Sequence, residues 1–239
     1  MSYYNWNEEV APAPRVGVDV QQVLQWVYLW MALGALVTAG VAFLTVQSTT
    51  LSGLLLGSPA VVIGAFIVEL LLVFGLSAGM SRLSPAAASV MFFVYAAING
   101  FTLSAIFFIY DIGSIVSAFA ATAALFGAMS IVGFTTHIDL TRWGSFLFMG
   151  LIGVIIAMVV NMFLGIAALD MVISIAGVLI FTGLTAYDTQ KIRRMATSVT
   201  AQGEGTIAMK LSILGALTLY LDFINLFLFL LRLLGGRRR

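Results

Sequence analysis

After its first 23 residues the chain is a succession of long apolar runs separated by short polar punctuation. About 20 consecutive apolar residues cross the hydrocarbon core of a bilayer as a helix. On that rule the runs are Leu24–Val46, Ala60–Met80, Pro85–Ile109, Ile112–Phe134, Trp143–Ala167, Met171–Thr189 and Leu211–Leu234. The punctuation has the right chemistry for helix ends. Pro59 and Pro85 suit a first helical turn, and Ser84 suits an N-cap. Asp111 and Asp170 mark tight turns, and His137, Asp139 and Arg142 form another. Gln47–Ser58 is expected to be an uncharged loop, and Lys191–Lys210, with Gly203-Glu204-Gly205 inside it, the longest polar loop. The pattern predicts an all-α membrane protein with seven transmembrane helices: a tail over 1–23, a membrane domain over 24–234 and a basic tail over 235–239.

Composition narrows the class. The chain is 62% hydrophobic and 9% charged, with a mean hydropathy of +1.10. A soluble domain carries roughly 25% charged residues. The net charge of +1 offers no basic stripe for nucleic acid. With no cysteine and one histidine, thiolate and histidine metal sites are excluded. The polar start, with Glu8, Glu9, Arg15 and Asp19, has no signal-peptide pattern. It is expected to be a flexible cytoplasmic tail, with a short interfacial helix near Val18–Trp26.

Basic residues orient the spans. Arg15, Arg82, Arg142, Lys191, Arg193, Arg194 and Lys210 all fall on the N-terminal side, and the loops after spans one, three and five have no Lys or Arg. The N-terminus is therefore expected in the cytoplasm. Parity then places Arg232 and the three terminal arginines outside. A re-entrant last segment would remove that conflict, but its ~24 apolar residues are long enough to cross. Small residues in the third span (Ala96, Ala97, Gly100), the fourth (Ala118 to Ala128) and the sixth (Ala176, Gly177, Gly183) suit close helix packing.

Three acids lie within the spans: Glu69, Asp188 and Asp222. Charge at bilayer depth costs roughly 2.5–3.5 kcal/mol even on the lenient scale and marks functional sites by default. Each acid also has the plainer reading of a hydrogen-bonded tie between helices. Asn225 lies at i+3 from Asp222, Thr218 at i−4, and Tyr220 nearby, so the seventh span is expected to carry a polar stripe facing a cavity. At ~1.5 Å per residue, Asp188 lies roughly 4–5 Å inside the cations that follow it, and Glu69 and Asp222 roughly 18–20 Å inside theirs. Taken literally, Asp188 and Asp222 differ in height by more than about ten ångströms.

Phe181-Thr-Gly-Leu-Thr-Ala-Tyr-Asp-Thr-Gln-Lys-Ile192 resembles the signature of the Bax inhibitor-1 (transmembrane Bax inhibitor motif) family. Tyr95–Ser104 and Leu219–Phe227 agree with it, so the chain looks like a bacterial member. The resemblance implies a central seventh helix surrounded by the other six, and a pH-sensitive calcium leak in the inner membrane. It implies a gating pair of Asp188 and Asp222, which also offer a transient calcium site. Arg82 would lock the pair, and Glu69, with Asn225, would line the path. The two acids meet only if the seventh helix begins well outside the membrane, with Leu211–Thr218 partly cytoplasmic. Two carboxylates sharing a site cannot both ionise cheaply and so titrate as a unit. Calcium would be cargo, with no cofactor. A retinal protein is excluded by the absence of a lysine in the seventh span, and no protease motif is present, so an enzyme is not expected. The alternative reading is an interaction protein that modulates membrane-protein quality control or stress survival by binding other membrane proteins through its tail and basic loop.

Overall fold

The computed structural model describes residues 19–202 and 205–236. Residues 1–18, most of the expected tail, lie outside these, as do Gly203, Glu204 and Arg237 to Arg239. The helices are α1 (Val20–Gln47), α2 (Thr49–Gly57), α3 (Pro59–Gly79), α4 (Pro85–Leu103), α5 (Ile106–Ile109), α6 (Ile112–Thr135), α7 (Thr141–Leu164), α8 (Ala167–Gln202) and α9 (Gly205–Leu234). Seven segments are long and apolar enough to span a membrane, with α4 and α5 forming one of them.

The termini follow local chemistry. Ser84 Oγ accepts from the Ala87 N–H at 3.2 Å, and Asp111 Oδ1 from the Ser114 N–H at 2.8 Å. Pro59 and Pro85 each occupy a first turn. Gly165 closes α7 with φ +64°, a left-handed conformation that glycine adopts without a Cβ penalty.

Two stretches expected to be irregular are helical over most of their described residues. The uncharged loop after the first span contains α2. The basic loop after the sixth span is absorbed into α8, which runs on to Gln202, and into α9, which begins at Gly205. At ~1.5 Å per residue these two helices are about 54 and 45 Å long, well beyond a hydrocarbon thickness of about 30 Å. The polar residues of 191–210 solvate a helical hairpin that leaves the membrane; polarity set the membrane boundary, not the helix end.

α9 is the central helix. Of its most apolar stretch 67% is buried, against 11% in α3 and α7. α1, α3, α4, α6 and α8 pack directly on it, and α7 packs on α8. Two close approaches set this packing, because in lipid association depends on van der Waals contact rather than water exclusion. Gly100 of α4 lies against the Thr38 backbone of α1, and Gly133 of α6 against the Ala186 carbonyl of α8. Gly127, expected among the packing residues of α6, instead faces open space.

One end of the bundle carries the Arg82 turn, Arg142, Lys191 and Lys210, and is the basic end. Val23 packs there with Ala196, Ala208 and Leu211 of the hairpin. α9 then crosses the whole bundle. Arg232 approaches Asp170 at 3.9 Å, and the Gly236 N–H donates to Ser114 Oγ at 2.9 Å, both at the far end. The last segment is a full span and not re-entrant.

Candidate functional site: an acid-lined cavity beside the central helix

The side of α9 left open faces a cavity of about 870 Å³. Between Leu211 and Phe229, positions 214, 218, 221, 225 and 228 are the less buried ones, a single stripe at helical spacing. Thr218, Asp222 and Asn225 line the cavity from α9, Asp188 and Lys191 from α8, and Glu69 from α3. Apolar side chains of α3 and α7 complete it. It reaches from Gly144 and Lys191, near the basic end, to Met158 and Phe229.

All three acids are buried: Asp222 is 5% exposed, Glu69 7% and Asp188 9%. Asp222 Oδ2 has no hydrogen-bond partner, and the Asp188 carboxylate acts on Asp222 electrostatically. The register of α8 against α9 explains their proximity. Gly177 abuts Phe229, and Ile192 abuts Gly215. Interpolation in this antiparallel pair sets Asp188 opposite Thr218–Leu219, three to four residues from Asp222, or about 5 Å of rise. The height difference of more than ten ångströms expected from hydropathy is thus corrected. It assumed that Lys191 and Lys210 lie at one level, whereas Lys210 sits farther out on the hairpin, where its Nζ donates to Ser81 O at 3.4 Å.

Glu69 accepts from Thr102 Oγ1 at 2.9 Å, a hydroxyl that also lies 3.0 Å from the Asn99 carbonyl of α4. Asn99 Oδ1 in turn accepts from Tyr220 O–H at 2.8 Å. The Tyr220 oxygen lies 2.6 Å from Thr38 Oγ1, which also donates to Ala96 O at 2.8 Å. This network joins α1, α3, α4 and α9 behind the cavity wall. Tyr220 is therefore not part of the cavity stripe, as the sequence pattern suggested. Two residues from Asp222 is about 200° around the helix, which turns the phenol toward α1 and α4. Tyr220→Phe removes the hydroxyl that donates to Asn99 and leaves that buried amide oxygen without its donor, while Thr38 keeps Ala96 O as its acceptor. It is expected to lower stability by about 1–3 kcal/mol, read as a fall in the unfolding midpoint in detergent.

The cations after Asp188 divide their work. Lys191 alone lines the cavity, and its Nζ lies 5.9 Å from the Tyr187 ring centre. Arg193 donates to the Phe134 carbonyl and stacks over the Phe134 ring. Arg194 pairs with Asp139 at 2.7 Å and donates to Thr141 Oγ1 at 2.6 Å. Gln190 holds the same turn, donating to Ile138 O and accepting from the Leu140 N–H. The segment bearing Asp188 is thus tied to the α6–α7 turn.

Hydrogen bonds from Thr141, by side chain and then backbone, and from the Arg194 guanidinium hold the Asp139 carboxyl down at about 2. A depressed carboxyl contributes stability above its unfolded value of about 3.9, which is lost only as pH falls toward 2. This tie is therefore constant across physiological pH. Asp139→Asn is expected to leave any pH dependence between 5 and 8 in place, checked by comparing ion flux or unfolding midpoints over that range.

Arg82 does not reach the pair. It sits on the exposed α3–α4 turn, does not line the cavity and forms no ion pair among the described residues. In this conformation the cation nearest Asp188 in the cavity is Lys191. No group of three or more His, Asp or Glu suited to a metal occurs among the described residues. Asn225 Nδ2 donates to Leu221 O at 2.8 Å, leaving its carbonyl oxygen as the potential ligand.

The sequence model of a family described as "Inhibitor of apoptosis-promoting Bax1" matches residues 20–239. The chain belongs to the Bax inhibitor-1 family. Among members of this family, it is 46% identical over 225 residues to the inner membrane protein YbhL of Escherichia coli, covering 94% of this chain and 95% of that protein. It is 44% identical to an uncharacterized protein of Deinococcus radiodurans, covering 96% and 97% of the two chains. It is 40% identical to an uncharacterized membrane protein of Streptococcus pyogenes, covering 91% and 94%. Family membership thus extends over the whole described bundle, including the signature segment that carries Asp188 and the helix that carries Asp222.

Proposed function

We propose that this Bax inhibitor-1 family protein is a pH-sensitive calcium leak of the bacterial inner membrane, with its basic end in the cytoplasm and Asp188 and Asp222 as the gating pair. The observation that carries this reading is Asp222 Oδ2, buried without a partner beside Asp188 in a cavity that begins near the basic end. The distribution of Lys and Arg supports the orientation.

A proton held between the two carboxylates ties α8 to α9. Its loss leaves two like charges about a helical turn apart in one cavity, and either repulsion or a cation resolves that conflict. Calcium takes several hard oxygen ligands. Two carboxylates with the Asn225 carbonyl and the Thr218 hydroxyl are a sparse set, suited to passage rather than retention. Toward the far end Arg232 lies beside the route. Arg232 lies over the Phe229 ring at 5.7 Å, and its Nη1 lies 3.8 Å from Met158 Sδ. The Arg82 turn would have to approach the pair in a different conformation to act as its lock.

The test is flux into liposomes containing the purified protein, with calcium, potassium and protons compared from pH 5 to 8. Calcium flux that rises as pH increases is expected. Flux equal to that of protein-free vesicles at every pH would rule the reading out.

A further inference from the structure

The cavity is also accessible from the side. α3 and α7 share no packed interface among the described residues, although both line the cavity. Phe66, Leu70 and Phe74 of α3 and Phe148 and Ile155 of α7 line the cavity and present exposed apolar surface. In a spanning helix that surface meets hydrocarbon. The gap is therefore a slot through which the cavity communicates with the bilayer.

Its depth is set by α3, where Glu69 is near the middle of the 21-residue helix. Leu70 stands exposed at the slot while its neighbour Glu69 is buried behind it. A molecule entering here comes from the membrane interior, so it must carry an apolar body. Behind the slot lie three carboxylates and one lysine, Lys191, which is displaced toward the basic end. Asp222 is on the inner wall, and its buried Oδ2 has no donor. An ammonium group offers three N–H donors and no acceptor. It fits an acceptor-rich wall that a neutral or anionic head does not. The volume of about 870 Å³ lies within the range of small-molecule sites.

We propose that the slot between α3 and α7 is a binding site for lipophilic amines, which enter from the bilayer and place the ammonium group at Asp222 and Glu69. The inference rests on the reading of the cavity as a cation site and adds to it a second class of ligand and a lateral route. An amine so placed occupies the route proposed for calcium, and so would block it.

The test uses the full chain in lipid nanodiscs and two photoreactive probes that differ only in their heads: dodecylamine and dodecanol, each with a diazirine at the tail end. The amine is expected to label peptides of α3 and α7 bordering the slot at least tenfold more than the alcohol. Unlabelled dodecylamine should compete and dodecanol should not. Asp222→Asn should bring amine labelling to the level of the alcohol, and Leu70→Trp, which narrows the slot, should reduce it without any change at the carboxylates. Equal labelling by the two probes in the unaltered protein overturns the proposal without reference to any variant. So does amine labelling confined to other faces of the bundle. Calcium flux is measured separately. Charge-dependent labelling in a protein without flux keeps this site and removes the leak. Flux without charge-dependent labelling does the reverse.

Discussion

Replacing Asp222 by Asn is expected to cut calcium flux at pH 7.5 by tenfold or more and to abolish its dependence on pH, with the fold retained. Asn has the shape of Asp without its charge, so the packing around α9 is undisturbed. The buried, partnerless Oδ2 is replaced by an amide that needs no counter-charge, so the unfolding midpoint in detergent should hold or rise. Flux should fall because a cation in a low-dielectric cavity depends on the nearby negative charge. Asp188→Asn acts on the same pair and should have a similar effect. The double variant should be little worse than either single one, since residues that share a site are not additive. Liposome flux from pH 5 to 8 for the four proteins is the measurement. Unaltered flux and pH response in both single variants would sink the paired-carboxylate mechanism.

Gly100→Val is expected to give the largest loss of stability, about 3 kcal/mol or more. A Cβ at position 100 would meet the Thr38 carbonyl oxygen, the Thr38 Cα and the Val41 Cβ. Backbone atoms cannot rotate aside as a side chain can, so α1 and α4 must separate. Separation also loosens the hydroxyl of Thr38 from Ala96 O and from Tyr220, and hence the network that reaches Glu69. Gly127→Val is the control: the position faces open space, and a surface change of this kind stays within about 0.5 kcal/mol. Unfolding of both variants in the same detergent compares them directly, and equal midpoints would refute the close-approach argument.

Much of the architecture was legible in the chain because lipid imposes a simple rule. Every backbone group in hydrocarbon must be bonded within its own helix, so an apolar run of sufficient length is a spanning helix. The caps at Ser84 and Asp111 and the prolines at 59 and 85 were readable for the same local reason. The helix ends at Gln202 and Gly205 were not. Lys191, Arg193 and Arg194 announce water, and water does not end a helix. That error propagated to the site, placing Asp222 and Asp188 at different heights although their identity as the acids of interest was plain from their cost in a bilayer.

The sequence by itself determined the class of the protein, its seven spans, its family and the three acids held within the hydrocarbon. Each of these follows from composition, length or local pattern. Only the tertiary structure decided which groups meet. The register of α8 against α9 is a property of two surfaces in contact, marked by Gly177 on Phe229 and Ile192 on Gly215, and no single helix encodes it. It set Asp188 within about a turn of Asp222 and gave Lys191 a place in the cavity. The packing of α1 and α4 on another side of α9 decided that Tyr220 meets Thr38 and Asn99, and the position of the α3–α4 turn left Arg82 outside the cavity. Side-chain direction around a helix advances by about 100° per residue, so what a residue faces depends on which neighbour its helix presents that face to.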